Sequence, residues 1–549
     1  MVPLRRSMVR LASWPLRRAG QAMHRLATGS ASVVEVEVEP IGELAARHLW
    51  LRRLRQLGDD PGVVCVVLRL RGPVGGWGAL QGLVDVVAGL RAAGKQVVAF
   101  LEAPGNGAVA VAAGCDRSFV VPSSDVGVVG LGMELTFFGA LLGRLGLRPD
   151  FEAAGAYKSF GEPWTRSFAS PQNLEAMGEL IGDLQAQLVE RIAAGRALTP
   201  EQVRSCIQRA PLSAAEAVAD GLVDQLAYED QLGDWLEETH GADVRRVAFG
   251  SWAARRSALE WLDAQGAAPE HVAVLHLDGP IAMDRPRSGV GARQVVPLLQ
   301  ELREDDDVVA VVLHVASPGG SALASDLMWR EVDRLARQKP VVACYEDVAA
   351  SGGVYLAAPA REVVARPGTL TGSIGVFGGK LVAGEGLRSV GVHTQPILAA
   401  PNAALFSPSR PFTDDQRVRF RASLQRMYDG FVSRVAEGRG RTEDELEPYC
   451  RGRVWTGAAA KERGLVDRFG GVEVAVERAQ ALASAPGVRV VDHTPFPSFD
   501  PKGWVRKQLG DTLPGAARLA LEQLDGPVVF LTEHQGQALA MWPFRVRIR

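Results

Sequence analysis

Ser351 lies in Asp347-Val348-Ala349-Ala350-Ser351-Gly352-Gly353-Val354-Tyr355-Leu356, just after the apolar run Val341 to Cys344. The pattern predicts a buried strand, a tight turn and a helix that begins at the serine. Two readings of that serine follow. As a nucleophile it would project its hydroxyl from a helix N-terminus, where the helix dipole and open amides favour developing negative charge. As a cap it would only satisfy the first helical turn, with the two glycines allowing close packing.

A serine hydroxyl is a weak nucleophile and needs a base. Histidine is the usual one, yet the nearest of the nine histidines downstream of Ser351 is His393. His314 stands in an apolar run and reads as a satisfied core or turn residue. Lysine serves as base when an apolar pocket lowers its pKa from about 10.4. Lys158 sits in Ala154-Gly155-Ala156-Tyr157-Lys158-Ser159-Phe160, among small and aromatic residues, unlike most lysines of this chain. The competing reading of Lys158 is a surface lysine with a snorkelling stem. A third element is Ser317-Pro318-Gly319-Gly320, which follows an apolar strand. Its glycines can bring backbone amides close to a ligand oxygen, or can simply make a turn.

An internal repeat sets the elements that position these residues. Val63-Val64-Cys65-Val66-Val67-Leu68 matches Val308-Val309-Ala310-Val311-Val312-Leu313 at an offset of 245, which also pairs Pro73 with Pro318, Gly107 with Gly352 and Gly127 with Gly372. Further on, Ala219-Asp220-Gly221-Leu222-Val223-Asp224 meets Glu462-Arg463-Gly464-Leu465-Val466-Asp467 at an offset of 243. Two copies of one α/β domain are predicted, 33–245 and 270–493, joined by a helical connector within 246–269 and flanked by 1–32 and 494–549. Strand runs alternating with amphipathic helices imply parallel sheets with crossover helices. Long helices over Asn173–Arg196 and Asp414–Gly438 are expected to pack outward or on another subunit. The copies differ where chemistry would be. Asn106 stands opposite Ser351, and Ala403 stands opposite Lys158. Each copy lacks what the other has, as drift or a shared site would produce.

Composition excludes several classes. The chain has 549 residues, is 47% hydrophobic and carries a net charge of −2, so no basic excess points to nucleic acid. Five scattered cysteines, with no CxxC pair, indicate neither a zinc site nor a disulfide framework. No organic cofactor motif is evident. No run of 18 apolar residues exists to span a bilayer. Met1 to Ala27 carries Arg5, Arg6, Arg10, Arg17, Arg18 and Arg25, with apolar residues at helical spacing on the other side. It reads either as a basic amphipathic helix on an anionic membrane surface or as a disordered basic tail. At the far end, Pro527–Leu531 and Ala538–Trp542 read as a closing strand pair or as an apolar contact with a neighbouring chain.

Five motifs in order carry a family resemblance. They are Tyr157-Lys158-Ser159 with Glu162-Pro163, Ser317-Pro318-Gly319-Gly320-Ser321, Ala349-Ala350-Ser351-Gly352-Gly353, Thr369-Leu370-Thr371-Gly372-Ser373-Ile374-Gly375, and Val454-Trp455-Thr456-Gly457 with Gly464-Leu465-Val466-Asp467. With them the chain resembles signal peptide peptidase A of the long, two-repeat type, across about residues 35–490. The resemblance implies tandem Clp/crotonase-like domains and a Ser–Lys peptidase without metal or cofactor. It implies Ser351 as nucleophile, Lys158 as general base, Ser373 as the group orienting the lysine, and Gly319, Gly320 and Gly352 as the oxyanion site. It also implies a membrane-anchored homotetramer on the periplasmic face of the bacterial inner membrane that degrades remnant signal peptides. Three departures stand out: no transmembrane anchor, an altered Glu102–Gly107 segment, and Phe160-Gly161 after the lysine, which is expected to narrow the pocket. Two other readings use the same residues, a catalytically silent membrane scaffold and a crotonase-like acyl-CoA enzyme.

Overall fold

The computed structural model describes residues 31–264, 269–284, 289–495 and 538–541. The basic segment within 1–32 and most of 494–549, including Pro527–Leu531, lie outside the described residues. The chain forms two compact units. One takes the residues up to Gly132 together with Ile181–Pro269, and the other takes Met133–Leu180 together with the chain from Glu270. Residues 133–180 are thus part of the first repeat by sequence and part of the second unit by contact.

In the first unit six strands form one parallel sheet in the order Gln225–Leu226, Arg117–Val120, Gln96–Leu101, Val63–Leu70, Ser32–Glu37, Arg245–Ala248. Val63–Leu70 is buried along nearly its whole length, as a central parallel strand covered on both faces must be. Helix Trp77–Ala92 is the crossover to the next strand. The connector contains the helix Phe249–Ala264.

The second unit repeats this order in Arg468–Phe469, Glu362–Ala365, Val341–Ala350, Val308–Ser317, His271–Asp278, Arg489–His493, and adds Leu370–Gly372 and Val454–Thr456 along the far end of Val341–Ala350. The ladders are parallel except where Val454–Thr456 meets Leu370–Gly372. Strand Val341–Ala350 is longer than its counterpart Gln96–Leu101. The extra residues pair with Leu370–Gly372 and carry the chain directly into Ser351. A second, smaller sheet has the order Val290–Gly291, Ile281–Ala282, Gly319–Ser321, Ala538–Met541, Val376–Val382, Arg148–Ala154.

The Asp414–Arg439 helix does not pack outward, as its polar sequence suggests. Phe420, Leu424, Tyr428, Phe431, Val432 and Val435 are buried in the core of the second unit. The Phe431 ring lies 4.7 Å from that of Tyr355, on the short helix that follows Ser351. The core thereby braces the site from behind.

His314 is a satisfied core histidine. Its Nδ1 lies 2.9 Å from His276 Nδ1 and its Nε2 lies 3.1 Å from Glu346 Oε2. Arg366 donates to both Glu346 oxygens at 3.0 Å, with the two side chains only 3% and 4% exposed. Removing one partner of such a pair strands a buried charge. Arg366→Leu is therefore expected to cost about 3–5 kcal/mol of stability. Urea unfolding followed by circular dichroism measures it, and an unchanged midpoint would contradict the account.

Candidate active site

Ser351 follows the last residue of a buried strand, and helix Gly352–Ala357 begins one residue later. Its backbone is at φ 55° and ψ −112°, the first central position of a type II′ turn, a region that favours glycine. Holding a serine there costs about 1–3 kcal/mol, which the surroundings must supply. Two hydrogen bonds do so. Ser351 N–H donates to the Gly372 carbonyl (2.8 Å), and Tyr355 N–H donates to the Ser351 carbonyl (2.9 Å). The Ser351 side chain makes no capping bond to its helix. The capping reading therefore fails, because the hydroxyl points elsewhere.

It points at Lys158. Lys158 Nζ lies 2.8 Å from Ser351 Oγ, 2.9 Å from the Ser373 carbonyl oxygen and 3.0 Å from Ser373 Oγ. All three residues belong to the second unit. Lys158 is only 7% exposed, so it is not a snorkelling surface lysine. No carboxylate is among its hydrogen-bond partners within the described residues. Burial alone pushes its pKa well below the ordinary lysine value, because nothing nearby compensates the desolvated charge. A neutral amine offers two N–H donors and one lone pair, which matches three partners: the two oxygens of Ser373 and the hydroxyl hydrogen of Ser351. Phe160, two residues on, is buried against Phe377 with ring centroids 4.3 Å apart, and supplies part of the apolar setting.

The glycine turn reaches the same place. A Cβ on Gly352 would lie 3.2 Å from Gly319 Cα and from Gly320 N, and 2.6 Å from Ser325 Oγ. Only glycine lets the start of this helix approach the turn so closely. Gly319 N–H already donates to Ser317 Oγ (3.1 Å), so of the three glycines singled out by sequence its amide is committed elsewhere.

The loop Arg451-Gly452-Arg453 was not singled out by sequence, and it holds the lysine and Ser373 together. Tyr157 N–H donates to the Arg451 carbonyl (2.8 Å), Ser373 N–H to the Arg453 carbonyl (2.6 Å) and Gly452 N–H to the Ile374 carbonyl (2.6 Å). Gly452 has φ 80°, and a Cβ there would collide with Lys158 N at 2.6 Å. The Arg453 guanidinium lies over the rings of Tyr157 (4.7 Å) and Trp455 (4.6 Å) and pairs with Glu175 (2.7 Å) and Glu179 (2.6 Å). Its sequence signal was faint, since two arginines around a glycine read as a solvated turn. Arg453→Ala is expected to lower kcat about 10- to 100-fold, as small misplacements of catalytic groups do. Because Arg453 touches neither Ser351 nor Lys158 through its side chain, Arg453→Lys should recover part of the loss. Equal kcat in wild type and Arg453→Ala would refute the bracing role.

In the first unit the position of Ser351 is taken by Asn106, which is fully buried. Asn106 Nδ2 donates to the Gly130 carbonyl (2.7 Å) and its Oδ1 accepts from Gly130 N–H (3.0 Å). The amide stitches backbone together where the second unit presents a hydroxyl.

Comparison with known proteins agrees with these features. The sequence profile described as "Peptidase family S49" matches residues 89–244 and 333–485, more than half of the chain. "Protease 4" of Salmonella typhi is 30% identical over 78% of this chain and 71% of its own length. "Protease 4" of Haemophilus influenzae is 27% identical over 78% of this chain and 72% of its own. "Serine protease SPPA, chloroplastic" of Arabidopsis thaliana is 29% identical over 78% of this chain, which spans 64% of the plant protein.

Proposed function

Since the chain belongs to peptidase family S49, we propose that it is a serine endopeptidase in which Ser351 is the nucleophile and Lys158 the general base. The observation that carries this is the 2.8 Å contact between Lys158 Nζ and Ser351 Oγ in a site without a carboxylate among the lysine's partners. Uncharged Lys158 takes the hydroxyl proton as Ser351 Oγ attacks the peptide carbonyl carbon. The carbonyl π electrons move onto oxygen, where the amides of Gly320 and Gly352 donate to the oxyanion. Protonated Lys158 then gives its proton to the leaving amine as the C–N bond breaks. Lys158 next deprotonates a water, which hydrolyses the acyl ester and regenerates Ser351. Ser373 keeps two acceptors on the lysine throughout, so its lone pair faces Ser351.

The test is covalent labelling. A fluorophosphonate probe should modify Ser351 in the wild-type protein and leave both Ser351→Ala and Lys158→Met unlabelled. A folded wild-type protein that resists the probe would favour the silent-scaffold reading.

Substrates are taken to be extended apolar peptides, among them cleaved signal peptides. Exposed apolar side chains in the second unit support assembly into a homo-oligomer, a tetramer by resemblance. Helices Gly139–Arg144 and Gly384–Ser389 are repeat counterparts, and Gly386 N–H donates to the Gly146 carbonyl (2.9 Å). Around them Leu141, Leu145, Val390 and Ile397 are exposed, Ile397 to 97%. Exposed apolar side chains of this kind are what an interface would cover. No helix among the described residues is long and apolar enough to cross a membrane. Attachment to a membrane surface, on the periplasmic side by resemblance, would rest on 1–32, and vesicle flotation with and without that segment reads it out.

A further inference from the structure

Three side chains that the peptidase site does not use converge in the core of the second unit. They are His314 on strand Val308–Ser317, and Cys344 and Glu346 on strand Val341–Ala350, and all three are buried. His314 and Cys344 are partners across the ladder between these strands. Glu346 lies two residues beyond Cys344, so all three project from one face of the sheet. Helix Val472–Leu482 covers that face, with Val472, Ala475 and Ala479 in the same core cluster as Cys344. One ligating atom from each of the three lies within 4.8 Å of the other two. The first repeat has Arg69, Ala99 and Leu101 at these positions, and its Arg69 forms a bidentate pair with Glu229. The convergence belongs to the second copy and not to the first.

We propose that His314 Nε2, Cys344 Sγ and the Glu346 carboxylate bind a transition-metal ion of the zinc type, as a structural centre that ties the two strands together. This stands apart from the peptidase reading, since none of Ser351, Lys158 and Ser373 is among the ligands. Proton accounting carries the argument. Asp492 Oδ1 lies 3.0 Å from His276 Nε2, which calls for a proton on that nitrogen. His276 Nδ1 then accepts from His314 Nδ1–H at 2.9 Å. With both rings neutral, His314 turns the lone pair of Nε2 toward Glu346 Oε2, 3.1 Å away. Two lone pairs at that distance need positive charge between them, as a proton or a metal ion. Cys344 favours the metal. A proton serves two partners, whereas a soft third ligand beside the same point suits zinc, which takes nitrogen, sulfur and oxygen at about 2.0–2.3 Å. Bonds of that length hold ligand atoms about 3.5 Å apart in a tetrahedron, so small side-chain rotations complete the site. The outer partners are those that metal ligands keep: His276 and Asp492 behind His314, and Arg366 on both oxygens of Glu346. Charge fits as well. The ion and Arg366 are offset by Glu346, Asp492 and the Cys344 thiolate, and Glu473 also acts on that sulfur. Without metal, burial holds the Cys344 thiol well above its ordinary pKa, so binding releases one proton to solvent. No CxxC spacing signals the site, because its ligands come from two separate strands.

The test uses the full-length chain without a polyhistidine tag, produced in medium supplemented with Zn²⁺ or Co²⁺ or depleted of both. Metal is counted by plasma emission, and cobalt is read by its thiolate charge-transfer absorption. Wild type should carry one equivalent, show the charge-transfer band in the cobalt form, and melt higher from zinc medium than from depleted medium. Cys344→Ala, which restores the first repeat's residue at this position, should lose the band and the difference in melting temperature. His276→Gln keeps all three ligands and should keep the band, with zinc affinity about 10- to 100-fold weaker, as loss of an outer partner produces. Circular dichroism reports whether each variant is folded. Wild type that carries no metal from either supplemented medium would overturn the proposal, and so would a folded Cys344→Ala that retains one equivalent and the same band. Should Cys344→Ala fail to fold, His276→Gln decides, because zinc affinity equal to that of wild type would contradict His314 as a ligand oriented by His276.

Discussion

Ser351→Ala is expected to abolish peptide hydrolysis, with kcat falling on the order of 10⁶-fold, as when the nucleophile is removed from machinery that acts as a unit. The substitution is structurally mild. Ser351 makes no capping bond, and its backbone bonds to Gly372 and Tyr355 are unaffected by loss of the hydroxyl. Alanine at φ 55° is strained much as serine is, so the melting temperature should move little. One other hydroxyl touches the lysine, that of Ser373 at 3.0 Å. A Ser351→Ala protein that keeps most of its activity and loses it with Ser373→Ala would transfer the nucleophile role to Ser373. Steady-state kinetics on a fluorogenic peptide separates these outcomes.

Lys158→Met should lower kcat by about 10²–10⁴-fold, the span associated with a positioned general base. Methionine has nearly the same length and keeps the pocket filled, so the loss would report the amine and not a cavity. The pH dependence follows from the sign of the shift. In the proposed mechanism the working base is the neutral amine, and burial lowers its pKa well below the ordinary value. kcat/KM should therefore rise with pH along a single limb centred well below about 10.4, where an ordinary lysine would place it. The same shift makes a stability prediction. Between the lowered folded pKa and about 10.4 the unfolded chain binds more protons than the folded one, so stability rises with pH across that window. Lys158→Met should remove this slope and raise stability at neutral pH while it destroys activity. A limb centred at the ordinary lysine value, or a variant less stable than wild type at pH 7, would contradict a buried neutral lysine.

Local elements were legible from side-chain patterning. The run Val63–Leu68 and its counterpart Val308–Leu313 predicted central parallel strands, and both are buried strands at the centre of their sheets. The helix over Asp414–Gly438 was legible too, but its facing was not. Arginines along its sequence mask an apolar stripe that only the packing of Phe420, Leu424 and Phe431 reveals. Lys158 and Ser351 were both recognisable, each as a residue its repeat counterpart lacks.

By itself the sequence determined the duplication, the strand-helix alternation and the two residues proposed to share the chemistry. These follow from periodicity and from residue type, which are local. Tertiary structure decided what joins distant segments. It bonded Lys158 to Ser351 across 193 residues, placed 133–180 in the second unit, and bent Ser351 into a conformation that turns its hydroxyl away from its own helix. It recruited Arg451-Gly452-Arg453 as a brace and set Ala538–Met541 between Gly319–Ser321 and Phe377–Gly378. The physical reason is that backbone hydrogen bonds between strand edges and turns carry no side-chain signature. Any extended segment can make them, and only the folded chain shows which one does.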